Sequence, residues 1–404
     1  MTRRLLQWLA LNRNTGAVAA AGLLMSLGEE LWKRFLPKYL ESFGAPLLAI
    51  GAYGSTRDLF DGLAQYPGGW ISDRYGRRAG LMLFVAIALV GYVLLVLGTS
   101  WPLVFAGTVL VMAWSSMASP TVFAVIGDAL PSHRRAMGFS VQSILRRIPI
   151  AVAPILGGLL IASHGVRDGV RAGLAVTIVL ALTTMVIVSR VRLALPPGSR
   201  AVGIVGLWQT LPEPLRKLLF ADILVRTCEA LVDVFLVIYA LDIVGIGAPE
   251  YGVLVSIQMT TSILCYLPAA RLADRIGRRP LVTATFLAFA AFPVAVILAG
   301  SFVGLIGAFV VGGLREMGEP ARKALIVDLA LPDLRARSVG LYYLVRSLSI
   351  APAAVIGGVL WRTRPELPFL LAGLFGLLGT AAFVLTTGRG DGNSKPAAPR
   401  RRTG

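Results

Sequence analysis

Runs of about 20 consecutive apolar residues recur along the chain, and each is long enough as an α-helix to cross a hydrocarbon layer roughly 30 Å thick. LMLFVAIALVGYVLLVLG (81–98) is one of them. Inside lipid a peptide unit has no water to bond, so its N–H and C=O must be satisfied within a helix or a closed barrel. Barrel strands would alternate apolar and polar residues over segments of about 10. These runs do not alternate, which excludes the barrel. Composition agrees: 56% of the 404 residues are hydrophobic and 15% charged, with a mean hydropathy of +0.75, more apolar than a soluble domain allows. The expected fold is an all-α integral membrane protein.

The pattern predicts twelve spans, at 15–40, 46–70, 79–98, 102–130, 136–162, 172–191, 216–243, 249–273, 280–299, 301–331, 337–361 and 367–387. They divide the chain into a six-helix bundle (1–191), a polar linker (192–215), a second six-helix bundle (216–387) and a basic tail (388–404) expected to be disordered. The apolar stretch after Arg3 and Arg4 runs on into the first span, so no signal-peptide cleavage is expected. Cys228 and Cys265 both fall inside spans and read as small hydrophobes, not as a disulfide or metal site.

Lysine and arginine locate the cytoplasmic side. Arg74, Arg77, Arg78, Arg134, Arg135, Arg190, Arg192, Arg271, Arg275, Arg278, Arg279, Arg335 and Arg337 all fall at one side with both termini, whereas the opposite loops carry only Arg167, Arg171, Arg362 and Arg364. Both termini are therefore expected in the cytoplasm, in a multi-pass protein of the inner membrane. The net charge of +18 is mostly this topogenic signal and an attraction to anionic headgroups. No soluble domain presents a basic face, so nucleic acid is not an expected partner.

A period near 200 residues runs through the chain. GGWISDRYGRR (68–78) aligns with AARLADRIGRR (269–279), Pro120 with Pro320, Asp128 with Asp328, Arg146 with Arg346, Gly157–Gly158 with Gly357–Gly358, Glu29 with Glu229 and Tyr39 with Tyr239. One six-helix unit has been duplicated. An even number of spans keeps both copies in the same orientation, an arrangement in which solute sites lie between the halves.

GGWISDRYGRR resembles the signature between helices 2 and 3 of the major facilitator superfamily, G-x-L-x-D-R-x-G-R-K/R, and its second copy departs only in having Ala270 at the first glycine. AVAPILGGLL (151–160) is similar to the antiporter motif ending in G-P-x-x-G-G, with Ala153 in place of the first glycine. MAWSSMASP (112–120) lacks the buried arginine of the family's helix 4. The resemblance covers the whole chain and leaves the branch open, with an outline like that of the drug/proton antiporters. It implies a secondary active transporter working by alternating access. It also implies a cytoplasmic latch made of Gly69, Asp73, Arg74, Gly76, Arg77 and Arg78 with Asp128, repeated in Asp274, Arg275, Gly277 and Arg278 with Asp328. The residues suit that role: Asp73 can accept hydrogen bonds at a helix N-terminus, and Arg77 can reach Asp128.

A charged side chain at mid-bilayer costs about 2.5 to 3.5 kcal/mol on insertion scales, so each needs a partner or a wet cavity. The candidates for solute binding and proton coupling are Glu29, Glu30, Arg34, Arg57, Asp58, Asp61, Arg146, Arg226, Glu229, Asp233, Arg315, Glu316 and Arg346. Glu29 with Lys33, Glu30 with Arg34, and Arg57 with Asp61 stand at i,i+4 and can neutralise each other locally. Arg146, Arg147 and Arg346 have no acid within a turn on their own helices and must meet acids on other helices or an anionic group of the substrate. In GGLREMGEPARKALIVD (312–328), Arg315, Glu319 and Lys323 form one stripe, so Glu319 is expected to be satisfied within its own helix. Arg315 and Glu316 are expected to face the cavity, with Glu319 and Lys323 fixing the helix, and Pro320, which frees the carbonyl of Glu316, to bend the helix there.

No G-x-x-x-x-G-K-[ST] loop occurs, and His133 and His164 are placed in loops on opposite sides, which leaves no ATP motor and no histidine metal site. An enzyme is not expected, nor any cofactor. The first reading is proton-coupled export of a small molecule by a monomer in the bilayer. Its rivals are proton-coupled uptake of a polar or anionic metabolite and a sensor that keeps the transporter fold. If the orientation is right, a reporter active only in the cytoplasm will work when fused after Gly404 or within 192–215. A periplasm-only reporter active at those points would reverse it.

Overall fold

The computed structural model describes residues 13–119, 121, 122, 125, 132–191, 211–329 and 335–387. Among them there are helices and no strands. Helix α1 (Arg13–Trp32) passes through a 3₁₀ turn, Lys33–Phe35, into α2 (Leu36–Ser42). Pro37 accounts for that break, since it has no N–H for the carbonyl of Lys33. The next elements are α3 (Leu47–Leu63), α4 (Gln65–Tyr75), α5 (Arg77–Leu97) and α6 (Trp101–Met112), which ends in a π turn at Ala113–Met117. Helix α7 (Ser132–Ser189) contains the predicted fifth and sixth spans. They are separated only by a kink at Gly165 (φ 78°), so the loop expected at 163–171 is helical instead.

The second half repeats the scheme. Helix α8 (Glu213–Val232) passes through a 3₁₀ turn at Asp233–Phe235, the position matching Lys33–Phe35, and continues helically to Ile243. No proline accompanies this second break, and the sequence offers no local reason for it. Then come α9 (Ala248–Ile276), α10 (Arg278–Leu298), α11 (Phe302–Leu314), α12 (Glu319–Leu329), α13 (Arg335–Ile350), α14 (Ala353–Trp361) and α15 (Leu367–Thr387). The gap between α11 and α12 falls at residues 315–318, next to Pro320, as expected. Pro352 separates α13 from α14 for the same reason. The signature loops turn on Gly76 (φ 93°) and Gly277 (φ 88°), backbone angles that side chains rarely adopt.

Five of the described helical stretches are long and apolar enough to cross a membrane. Leu97, Val179, Leu264, Leu298, Val303 and Leu385 stand largely exposed on their outer faces, as lipid-facing residues do. The interior is built from Trp32, Phe35, Tyr39, Tyr92, Phe235 and Phe309, with a second cluster around Leu215, Phe286, Tyr342 and Phe383. Cys228 is buried, Cys265 is half-buried, and both are free thiols. The linker is outside the described residues up to 210, as is the tail 388–404 and the stretch 1–12.

Two glycine pairs set how closely the helices approach. A Cβ on Gly157 would overlap the carbonyl oxygen of Leu31, and one on Gly357 would overlap that of Leu231, the matching position. Their neighbours face the opposite half. Gly158 packs on Ala248 and Pro249 at the start of α9, and Gly358 packs on Leu47 at the start of α3. Gly252 and Gly51 reciprocate, against the carbonyls of Pro154 and Ala354. Gly157→Val should therefore cost about 1 to 3 kcal/mol, read as unfolding in detergent. Gly307→Ala, where nothing lies within 4 Å of the added Cβ, should be neutral or slightly stabilising.

Candidate functional site

The breaks in α1–α2, α8 and α11–α12 bring the intramembrane charges together between the halves. On α8 the polar residues Asp222, Arg226, Glu229 and Asp233 follow one another at four, three and four residues and so share one face. Each finds a partner. Arg226 donates to Glu229 at 2.7 Å and to Glu319 of α12 at 2.9 Å. Glu229 also lies 3.7 Å from Arg315. Asp233 reaches across to the first half, where Arg57 of α3 meets it at 2.8 Å while also lying 3.3 Å from Asp58.

Asp222 anchors the deepest part. It is fully buried and pairs with Arg322, itself 2% exposed, with Arg346 of α13 at 3.5 Å, and with the Tyr342 hydroxyl, which donates to it at 3.0 Å. Arg322 also holds Glu319 at 2.6 Å. The expected pairing along 312–328 is corrected in part. Glu319 does contact Lys323, at 3.4 Å, but its shorter contacts are with Arg322 and Arg226. Arg315 turns instead to Glu229, donates to the Gly312 carbonyl at 3.1 Å and stacks over Phe292 at 4.3 Å. The break at 315–318 removes the continuous helix on which an i,i+4 pair depends.

In the first half the local pairs of helix 1 form, Glu30 with Arg34 at 3.4 Å and Glu29 with Lys33 at 4.0 Å. Glu29 also accepts from the Tyr92 hydroxyl at 2.9 Å. The expected Arg57–Asp61 pair gives way to Asp58 and Asp233, and Asp61 accepts from Ser116 at 3.2 Å. Arg147 donates to Ser262 of α9 at 3.3 Å. At one end of the molecule Lys38 joins Glu41 and, across the halves, Asp242, both at 2.7 Å.

Two cavities of similar size flank this network. One, about 110 Å³, is lined by Glu29, Glu30, Lys33, Trp114, Ser115 and Ser119, among others. The other, about 100 Å³, is lined by Arg34, Glu229, Asp233, Tyr251, Arg315 and Glu316, among others. Each has room for several water molecules, which is what charges at this depth require. Glu316 forms no ion pair among the described residues, although Arg226 lies near enough to attract it.

Of the latch residues, Arg74 is exposed and lies over Trp70 at 5.5 Å. Arg77 is half-buried; Arg78, Arg275 and Gly277 are exposed. Asp128 lies outside the described residues, as do the side chains of Asp73, Asp274, Arg278, Asp328 and Arg146. His133 falls on the first turn of α7 and His164 beside its kink, both on helix rather than in loops.

Asp222, Arg322 and Tyr92 join the site without having been singled out by the sequence. Asp222 was accessible from its spacing, four residues before Arg226, and Arg322 from its place in a charged run. Tyr92 stands alone in an apolar span, and nothing in the sequence marks it.

A helical membrane protein of two repeated halves, with breaks and paired charges between them, has the architecture of a secondary transporter. The sequence model of the Major Facilitator Superfamily matches residues 18–226 and again 218–403, and the chain belongs to that superfamily. It is a membrane transporter and not an enzyme. It is 22% identical over 382 residues to an uncharacterised transporter of the same type from Methanocaldococcus jannaschii, covering 91% of this chain and 93% of that one. It is 23% identical over 354 residues to the multidrug resistance protein MdtH of Photorhabdus laumondii, covering 84% and 86%. Its fold is that of the nucleoside transporter NupG, solved as a point mutant, with a TM-score of 0.76 at 13% identity over 93% of this chain and 100% of that one.

Because Asp222 answers two arginines in a water-poor site, Asp222→Asn should destabilise the protein by about 3 to 5 kcal/mol, measured by thermal or denaturant unfolding in detergent. Lys323→Gln, at a mostly exposed end of the network, should cost about 1 kcal/mol or less.

Proposed function

We propose that the protein moves a small solute across the cytoplasmic membrane by alternating access and exchanges it for protons, in the direction of export. The observation that carries this reading is Glu316. Asp222, Glu229, Asp233 and Glu319 are each held by an arginine, and an acid so held gains nothing by taking up a proton. Glu316 borders a cavity with room for water, sits in a helix break, and is free of ion pairs among the described residues. Such a carboxylate can load a proton from one side and release it to the other as the cavity changes access. The name of the Photorhabdus relative supports export.

With both termini cytoplasmic, the glycine contacts at Gly158 and Gly358 and the Lys38–Asp242 pair lie at the external end. The protein is then closed to the outside, and the cavities face the cytoplasm. Halves 1–191 and 216–387 are the two moving bodies, joined by the linker 192–215. The latch of Asp73, Arg77 and Asp128, with its copy in Asp274, Arg278 and Asp328, closes the cytoplasmic end in the alternate state. A second reading, proton-coupled uptake of a polar or anionic metabolite, is favoured by Arg34. Its Nε lies 3.4 Å from Glu30 without a hydrogen bond, in a side chain that lines the cavity of Glu316.

Reconstitution in vesicles tests the proposal. An imposed pH gradient should drive solute flux, and Glu316→Gln should reduce that flux at least tenfold while unfolding at a temperature close to wild type. Retention of wild-type pH dependence in Glu316→Gln would remove this residue from coupling. Accumulation of solute against the opposite gradient would replace export by uptake.

A further inference from the structure

The outer surface of the first-half signature carries a cluster that neither the ion-pair network nor the cavities use. Trp70 and Tyr75 of α4 are 49% and 61% exposed, and their rings meet edge to face at 6.3 Å. The Arg74 guanidinium lies over both, 5.5 Å from the first ring and 6.0 Å from the second. Stacking occupies the faces of a guanidinium and leaves the N–H donors in its plane free. Arg74 is exposed and forms no ion pair among the described residues. Its donors are thus open to whatever surrounds the protein.

The cluster stands at the edge of the membrane. The apolar span of α5 begins at Arg77, and the next residue, Arg78, is exposed. Ala79, Leu83, Val90 and Leu97 follow, all exposed, at intervals of four, seven and seven residues that put them on one face of the helix. An acyl chain laid along that face ends next to Arg78 and four residues from Tyr75. Tryptophan and tyrosine suit this depth, where rings sit among headgroups. The second copy of the signature lacks them: Arg271 stands at the position of Trp70 and Ile276 at that of Tyr75, while Arg275 matches Arg74. Both copies turn at their glycine, so the turn does not require the aromatic pair.

We infer that Trp70, Arg74 and Tyr75, with Arg78 beside them in the chain, bind the headgroup of one anionic glycerophospholipid. Its phosphodiester meets the free edge of Arg74, and its acyl chains follow the Ala79–Leu97 face of α5. A planar guanidinium can hold two oxygens of one phosphate through parallel N–H donors. The rings fix Arg74 before the lipid arrives, so less side-chain freedom is lost on binding. A zwitterionic headgroup would bring its own cation to a site that already carries two. A soluble phosphate would gain nothing from the apolar face.

The full chain in detergent should be titrated with phosphatidylglycerol and with phosphatidylcholine of the same acyl chains, and bound lipid counted by native mass spectrometry. Phosphatidylglycerol should bind at least fivefold more tightly, roughly the effect of one arginine near an anionic surface. Arg74→Gln should remove that preference. Trp70→Leu combined with Tyr75→Ile, which changes no charge, should weaken phosphatidylglycerol binding at least threefold. Arg275→Gln, the same change in the copy without the rings, should leave it unaltered. Equal binding of the two lipids would overturn the inference. An equal loss in Arg275→Gln, or full binding by the ring variant, would also overturn it, by reducing the site to the general pull of a basic protein on anionic lipid. Displacement of the lipid by an equal concentration of glycerol phosphate would assign the site to a soluble anion instead.

Discussion

A charge carried into a membrane must be answered by an opposite charge or by water, and this requirement organises the protein around Asp222. One fully buried carboxylate receives Arg322, Arg346 and the Tyr342 hydroxyl, and through Arg322 and Glu319 it is tied to Arg226 on its own helix. Helices α8, α12 and α13 are thereby fastened at one depth. Removing any single member would strand another, so the group acts as a unit. This network ties three helices of the second half together, and the glycine contacts hold that half against the first.

The two halves share a backbone plan but not a chemistry. Where the second half has Arg315, Glu316, Glu319 and Arg322, the repeat places Ser115, Ser116, Ser119 and Val122 in the first. The 3₁₀ turns at Lys33–Phe35 and Asp233–Phe235 coincide, yet one presents two cations and the other a carboxylate. Duplication supplied matching breaks, and divergence then filled them with different charges. The Arg57–Asp233 pair crosses the gap this created, linking α3 of one half to the turn of the other.

Much of the fold was legible because it follows from composition and period. Apolar runs without alternation require helices, and the recurrence of Asp–Arg–x–Gly–Arg–Arg shows the duplication. Pro320 forecast a break that is present, and Pro37 and Pro352 explain two more that fall inside expected spans. The turn at Asp233–Phe235 has no proline and could not have been read. The site was legible locally but not across helices. Glu30–Arg34 follows from i,i+4 spacing, whereas the same rule pointed Arg57 to Asp61. Its nearer partner, Asp233, lies in the other half, at a distance in sequence that spacing cannot measure. Asp222 followed the same spacing that singles out Arg226, Glu229 and Asp233, and Tyr92 carried no pattern at all.

The reciprocal glycine contacts have a mechanical consequence. Gly158 with Gly252 and Gly358 with Gly51 form two equivalent bearings, one on each side of the pseudo-twofold axis. A body resting on two such points can rotate about the line that joins them, but it cannot slide along that line or tip sideways without lifting off one of them. Backbone carbonyls seated against bare Cα atoms leave almost no play in either. Neither place has room for a methyl group, so one added there would push the two halves apart on that side alone.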